Sequence, residues 1–351
     1  MFRAAAIAAP INQSAMIFLI LTDHSGHSNQ NSLYALTRTL VADARTSGVF
    51  VASRADVRNS DFFAGNLSKW VFGLNASTDF DFDPTGEQFT ASPVSMPYAE
   101  ADVVWLRIPP PADSAFFAAL TSYAPAAEPT KKPVVINNPE GILETGSKDF
   151  LYHFSDYTAP VRRVQSADDV IEFADLHPIV LKPLREYGGR GLVKIAHGVV
   201  DGDGLETTLD RWLETAKPDL EAGHYLAMKY LKNVDQGDKR ILVVNGKILG
   251  ASLRLPAPGQ WLCNVARGGT SIIADVAPEE EVMIAAVAPT LLEKGIVIFG
   301  ADTLMNDDGK RVLSELNTNS IGGFPQAEAQ TGRPILQQTI NGIYDYLADR
   351  I

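Results

Sequence analysis

The chain alternates short apolar runs with amphipathic stretches, and that alternation already sketches a fold. Residues 17–21 are continuously apolar and give way at once to the polar loop 22–31, which predicts a buried first strand. Across 32–47, Leu33, Leu36, Leu40 and Val41 recur at helical spacing and predict an amphipathic helix. Residues 48–100 are less legible; they hold an acidic, Phe-rich segment, 79–83, before the turn-like Pro84-Thr85-Gly86. The run 101–107 reads as a buried strand ending in a cation, Arg107, ahead of a proline-rich stop. A composition shift at 125–133 marks the expected linker.

Further along, residues 134–137 read as a strand, followed by a helix that starts at Asn138-Pro139-Glu140 and is expected to carry Lys148. Strand 179–183 brings Lys182 to its end, and the loop Gly188-Gly189-Arg190-Gly191 precedes strand 192–195. Residues 225–231 form another apolar strand, and 233–237 turn. From Asp238 a long strand follows, folded back at Asn245-Gly246, a strong hairpin signal. Finally 296–305 is an apolar run broken by one acid, Asp302, and 311–317 alternates with period two after the turn 306–309. No internal repeat or low-complexity tract interrupts this order. It predicts an α/β (α+β) protein.

Length and charge narrow the function. The 351 residues, 46% of them hydrophobic, suffice for two or three domains. A net charge of −12 argues against general affinity for nucleic acid or an anionic membrane, so any polyanionic ligand must be held by locally placed cations. The single cysteine, Cys263, excludes an internal disulfide and a Cys-rich metal site, fits a reducing cytoplasm and reads as a small apolar filler. No apolar run approaches the roughly 20 residues of a membrane span. At the start, the apolar run follows the small residues instead of preceding them, unlike a secretory leader; residues 1–15 are expected to be a flexible extension or an early start codon.

The most informative chemistry is Asp302 with Glu315 and Asn317. Residues two apart share a strand face, so Glu315 and Asn317 point the same way, and a turn joins their strand to that of Asp302. Hard oxygen donors of this kind suit Mg²⁺ held against phosphate oxygens, although a pair of solvated strand acids reads equally well from these residues alone. The glycine loop could approach phosphates with Lys182 supplying a point charge, or be an ordinary hairpin turn. It is neither a Walker loop nor a dinucleotide fingerprint, since no helix follows the glycines. Arg240 and Arg254 sit on the two arms of the 238–255 hairpin, where single charges are normally solvated.

In their order along the chain, Lys148, Lys182 with its glycine loop, Met-Lys-Tyr-Leu at 228–231, the segment 235–246, the loop 264–269 and Asp302…Glu315-Leu316-Asn317 resemble the ATP-grasp superfamily. More narrowly, with segments 103–113 and 136–151, the chain resembles bacterial-type glutathione synthetases from about residue 16 to its end. The resemblance implies an ATP-grasp fold behind an N-terminal Rossmann-like parallel-sheet domain: 16–125 amino-proximal, 126–228 a central lid-like unit and 229–351 a C-terminal unit. It implies that Lys148 and Lys182 contact the phosphates of ATP while Gly188, Gly189 and Gly191 close over them. The backbone of Met228, Lys229, Tyr230 and Leu231 would face adenine, with Asp238 near the ribose. Asp302, Glu315 and Asn317 would hold two Mg²⁺ ions, Mn²⁺ being an alternative, and Arg107, Arg240 and Arg254 would bind the acceptor carboxylate or the transferring phosphoryl group. The loop with Asn264, Gly268 and Gly269 and the run with Asn319, Ser320 and Gly322 would face the substrate. A cytoplasmic homo-oligomer, dimer or tetramer, follows by the same analogy, acting on a small molecule or short peptide.

Departures fall on the substrate side. Residues 260–264 lack the arginine–glycine pair expected ahead of the asparagine, 318–325 replaces a Ser-Pro-Thr run, and Arg185-Glu186 stands where Asp-Gly is common. The expected reaction is therefore peptide-bond formation through an acyl phosphate, with glutathione as product, or the same chemistry on a different acid and amine. A non-catalytic nucleotide-binding module is the remaining reading, disfavoured by the complete metal triad.

Overall fold

The computed structural model describes residues 15–351 apart from 111–112, 125–131, 187–188, 203, 257–269 and 349. The amino-proximal strands are β1 (Met16–Thr22), β2 (Thr46–Ser53), β3 (Trp70–Phe72), β4 (Leu74–Asn75), β5 (Ser95–Pro97), β6 (Val103–Arg107) and β7 (Val134–Ile136). They build a five-stranded sheet in the order β4-β2-β1-β6-β7 and a separate pair β3-β5. Pairing of β1 with β2, β1 with β6 and β6 with β7 is parallel. Strands buried on both faces explain the near-continuous apolar run of β1, whose Phe18, Leu19, Ile20 and Leu21 are fully buried. The helix predicted over 32–47 ends at Ala42. Asp43 leaves the helix in an extended conformation and its carboxylate binds Arg45, so the chain is already turning into β2.

A second sheet follows from β8 (Val161–Val164), β9 (Ile179–Pro183), β10 (Val193–Ala196), β11 (Val199–Gly202), β12 (Leu205–Thr208) and β13 (Tyr225–Lys229), in the antiparallel order β12-β11-β10-β9-β13-β8. Helices Ala167–Leu176 and Leu209–Glu221 contribute Val170, Phe173, Leu213 and Leu220 to a core with Ile179, Leu181 and Ile195 of this sheet. The amphipathic helix stripe and the strand alternation meet here, which is what makes a separate core possible.

The third sheet comprises β14 (Asp238–Val244), β15 (Lys247–Leu255), β16 (Thr270–Ile273), β17 (Ile298–Met305) and β18 (Arg311–Asn317), antiparallel in the order β16-β15-β14-β17-β18. Asn245 and Gly246 join β14 to β15 with φ of 46° and 73°, the left-handed pair a tight hairpin turn requires. Lys239 is buried against Glu280 at 2.6 Å, and Glu280 also accepts from Thr303 Oγ1 and the Ala277 N–H, so both oxygens of this internal carboxylate are hydrogen-bonded.

Asn137 fastens the first sheet to the third. Its Nδ2 donates to the carbonyls of Ile298 and Thr318, at 2.6 and 2.8 Å, and its Oδ1 accepts from Val297 and Ile298, at 2.8 and 2.9 Å. Both donors and both lone pairs of the amide are used, as a buried carboxamide demands. The helix expected to carry Lys148 spans only Pro139–Thr145; Lys148 opens a separate 3-10 stretch instead.

Candidate active site

A cleft of ≈ 400 Å³ lies between the second and third sheets. Lys182, Gly189 and 228–231 line one wall, and Asp238, Arg240, Arg254, Asp302, Glu315 and Asn317 the other. Asn319 to Gly322 and the prolines after β6, Pro109 and Pro110, close one end. Antiparallel register explains how the third sheet gathers its charges. Arg240 of β14 pairs with Asp302 of β17, Asp302 with Glu315 of β18, and Asp238 with Arg254 across the hairpin. Directly opposed residues have neighbouring side chains, so charges scattered over nearly eighty positions share one face.

Asp302 is the hub. Its carboxylate accepts from Arg240 Nε and Nη2 at 2.7 and 2.6 Å, from Arg254 Nη2 at 2.8 Å and from Asn317 Nδ2 at 3.1 Å. Only 2% of Asp302 is exposed, and burial alone would raise its pKa. The adjacent guanidiniums outweigh that effect and hold it far below the usual carboxylate range. Asp238, joined to Arg254 at 2.5 Å, goes the other way: burial, reinforced by the Asp302 charge, pushes it up to about 7. Arg240 and Arg254, which the resemblance assigns to the acceptor carboxylate or the transferring phosphoryl group, are engaged here with Asp302 and Asp238.

Glu315 is more open, its side chain 30% exposed, with Lys148 Nζ 3.7 Å from its Oε1. Lys148 also donates to the Glu186 carbonyl. Lys182 Nζ lies 3.1 Å from the Ser314 carbonyl; burial lowers its pKa, and the Glu315 charge opposes that fall. Both lysines therefore border Glu315, although only Lys182 is among the residues lining the cleft. Gly189 and Gly191 take φ of 73° and 65°, and a Cβ on Gly191 would come within 2.9 Å of Pro183, so this turn needs glycine twice over. At 228–231 the N–H groups of Lys229 and Tyr230 are bonded to the Pro160 and Pro178 carbonyls. A nucleobase there would have to use other groups of this segment.

Arg107 lies apart, 4% exposed, at the end of β6. Among the described residues no carboxylate or carbonyl meets its guanidinium, its buried Nε has no partner, and burial pulls its pKa down to about 10. Its carbonyl oxygen accepts from Thr22 Oγ1 and Ser320 Oγ, at 3.2 and 3.0 Å. Gly188, Cys263, Asn264, Gly268 and Gly269 lie outside the described residues. Sequence reasoning passed over Thr22 and His27. A signal was present, a histidine-bearing polar loop directly after a buried parallel strand, where open α/β sheets place ligand groups.

The donor set fits a magnesium ion. Among the described residues no cluster of three or more His, Cys, Asp or Glu side chains forms a protein-only cage. A small number of carboxylate and amide oxygens, completed by phosphate, is how Mg²⁺ is normally held. Among the described residues the buried oxygens Oδ1 of Asp238 and Oδ1 of Asn319 have no hydrogen-bond partner, which fits a polar ligand at this site.

Residues 147–332 match the family model described as the prokaryotic glutathione synthetase, ATP-grasp domain. Over 252 residues the chain is 32% identical to a glutathione synthetase of Prochlorococcus marinus (strain MIT 9313), covering 72% of this chain and 77% of that protein. It is 28% identical to the glutathione synthetase of Rhodopseudomonas palustris (strain ATCC BAA-98 / CGA009) over 306 residues, 87% and 89% of the respective chains. In fold it resembles the crystal structure of a D-cycloserine synthetase, with a TM-score of 0.61 at 13% identity over 95% of this chain and 99% of the other.

Proposed function

The chain belongs to the prokaryotic glutathione synthetase family of ATP-grasp proteins, and from that premise we propose that it joins γ-glutamylcysteine to glycine, converting ATP to ADP and phosphate. It is an ATP-dependent carboxylate–amine ligase. The observation that carries the proposed reading is the cross-strand pairing of Arg240, Asp302 and Glu315 on the cleft wall, facing the wall that bears Lys182.

A carboxylate is a poor electrophile. The γ-phosphoryl group therefore passes from the bridging oxygen of ADP to a carboxylate oxygen of the acid, giving an acyl phosphate. The amine then attacks the carbonyl carbon, the C–O bond to phosphate breaks, and the nitrogen loses a proton. Asp302, Glu315 and Asn317 would hold Mg²⁺, in our reading two ions, and the metal when bound neutralises charge on the phosphate oxygens.

Lys182, buried at one wall, would supply a point charge toward phosphate. Arg240 and Arg254 are held by Asp302 until that carboxylate takes another partner, which would turn their donors toward the reacting acid and the oxyanion of the amine-addition step. Gly189 and Gly191 let the intervening backbone fold over the site, and such a cover protects an acyl phosphate from water. Arg107, which meets no anion among the described residues, is our candidate for the distal carboxylate of the acid. Among the described residues no helix is long and apolar enough to cross a membrane.

The test is direct. Purified protein with Mg²⁺, ATP, γ-glutamylcysteine and glycine should release ADP and form a product with the mass of glutathione. ADP release only with another acid and amine would keep the ligase and overturn this substrate pair.

A further inference from the structure

The strand order of the first sheet reverses between β1 and β6, because β2 lies on one side of β1 and β6 on the other. Ligands in open α/β sheets bind outside the carboxyl ends of the strands at such a reversal. Here those ends are Thr22 and Arg107, which are register partners. A hydrogen-bonded line runs through this point. Tyr34 Oη is 2.8 Å from His27 Nδ1, His27 Nε2 is 3.1 Å from Thr22 Oγ1, and Thr22 Oγ1 donates to the Arg107 carbonyl.

The direction of the line follows from proton counting. A threonine hydroxyl has a single proton, and that of Thr22 goes to the Arg107 carbonyl, so Thr22 can only accept from His27. His27 is then the neutral tautomer with its proton on Nε2, and its Nδ1 lone pair receives the Tyr34 hydroxyl. Burial agrees, pulling the His27 pKa down to about 4, with the His24 and Arg107 charges acting in the same sense. The second lone pair of the Arg107 carbonyl is filled by Ser320, which belongs to the run 319–322 lining the cleft. Both lone pairs being occupied, the main chain that carries the unpaired guanidinium is held from the β1 side and from the carboxyl-terminal side together.

Resting on the ligase reading above, we propose that His27 is a positioning residue for the acid substrate. Through Thr22 it fixes the end of β6 so that the Arg107 guanidinium, and the Ser320 segment bonded to the same carbonyl, meet a carboxylate of that substrate. His27 does not touch the transferring phosphoryl group. Its removal should therefore appear in the Michaelis constant for the acid and leave the nucleotide end of the cleft unaltered.

The experiment compares His27→Leu, His27→Gln and Thr22→Val with the wild-type enzyme, measuring KM for γ-glutamylcysteine, KM for Mg-ATP and kcat. Leucine removes both ring hydrogen bonds, whereas glutamine retains an N–H donor toward Thr22. We expect His27→Leu and Thr22→Val to raise the KM for the acid about tenfold, as for loss of one hydrogen bond positioning a charge. His27→Gln should stay within about threefold, and KM for Mg-ATP and kcat within about twofold throughout. Thr22→Val, nearly isosteric, decides the matter should His27→Leu not fold. An unchanged KM for the acid in both variants, or parallel losses in the nucleotide KM and kcat, overturns the inference. A wild-type enzyme that ignores γ-glutamylcysteine overturns the substrate assignment instead, and the variants are then scored on the acid that does support ADP release. ADP release that no acid stimulates would end both.

Discussion

On the third sheet, Asp302 lies between Arg240 and Arg254 and is almost inaccessible, yet it and its neighbour Asp238 each have an arginine in contact. At the end of β6, Arg107 is as deeply buried and, among the described residues, meets no anion. In the proposed reading both regions hold cations for an anionic ligand, but they store them differently. The network around Asp302 neutralises itself, so on that reading ligand binding there is an exchange of partners. Arg107 lies over the Trp105 ring at 5.7 Å but meets no anion among the described residues, and a carboxylate docking on it would supply a counter-charge without displacing one. The first arrangement favours fold stability; the second favours affinity.

The sharpest way to break the comparison is to neutralise each region in turn. Asp302→Asn leaves Arg240 facing an amide, and by the usual cost of stranding one member of a buried pair we expect a loss of about 3–5 kcal/mol in unfolding free energy, together with turnover. Denaturant titration would check it; unchanged stability would mean that the arginines are solvated and the self-neutralised picture is wrong. Glu315→Gln should behave otherwise, because Glu315 is open and only loosely paired. Folding should persist while kcat falls by about 10²–10³-fold, corresponding to roughly 3–4 kcal/mol of lost metal-held charge. Near-normal turnover would reduce Glu315 to a surface acid.

Arg107→Leu tests the other region. Removing an unpaired buried cation should leave the melting temperature of the ligand-free protein unchanged or raised, while KM for the acid rises about 10–100-fold, as expected for losing a charge-assisted hydrogen bond. A large fall in melting temperature would show that Arg107 is a structural cation. The smallest effect is a pH dependence. His27 is held neutral, with a folded pKa of about 4 against an ordinary 6.5. The unfolded chain binds more protons between those values, so this contribution to stability is present above pH 6.5 and fades as pH falls toward 4. Thermal unfolding of wild type and His27→Gln across that window should converge at the acid end; parallel curves would show that His27 does not contribute.

Where sequence reasoning succeeded, the contacts are local. The turn at 306–309 forces β17 onto β18, and the Asn245-Gly246 turn forces β14 onto β15, so opposed side chains follow from hairpin geometry alone. Where it fell short, the deciding interaction was remote or cumulative. The helix beginning at Ser32 stops at Ala42 because Asp43 and Arg45 pair, a choice that an apolar stripe running on to Val41 does not reveal. The strands Val161–Val164, Val199–Gly202 and Leu205–Thr208 carry weak patterns, since they lie at or near the margins of the second sheet. Lys148 was assigned to a helix that ends three residues before it.

The sequence by itself determined the fold class, the hairpins of the third sheet and the candidate metal ligands, because periodicity and turn chemistry act over a few residues. Only the tertiary structure decided which charges are neutralised and which are not. It paired Arg240 and Arg254 with Asp302, and it brought Thr22, Arg107 and Ser320 to a single carbonyl across more than two hundred positions. Nothing local in a chain encodes whether a buried cation will find an anion. That outcome depends on how separate sheets come to face one another, and on the penalty of burying charge once they do.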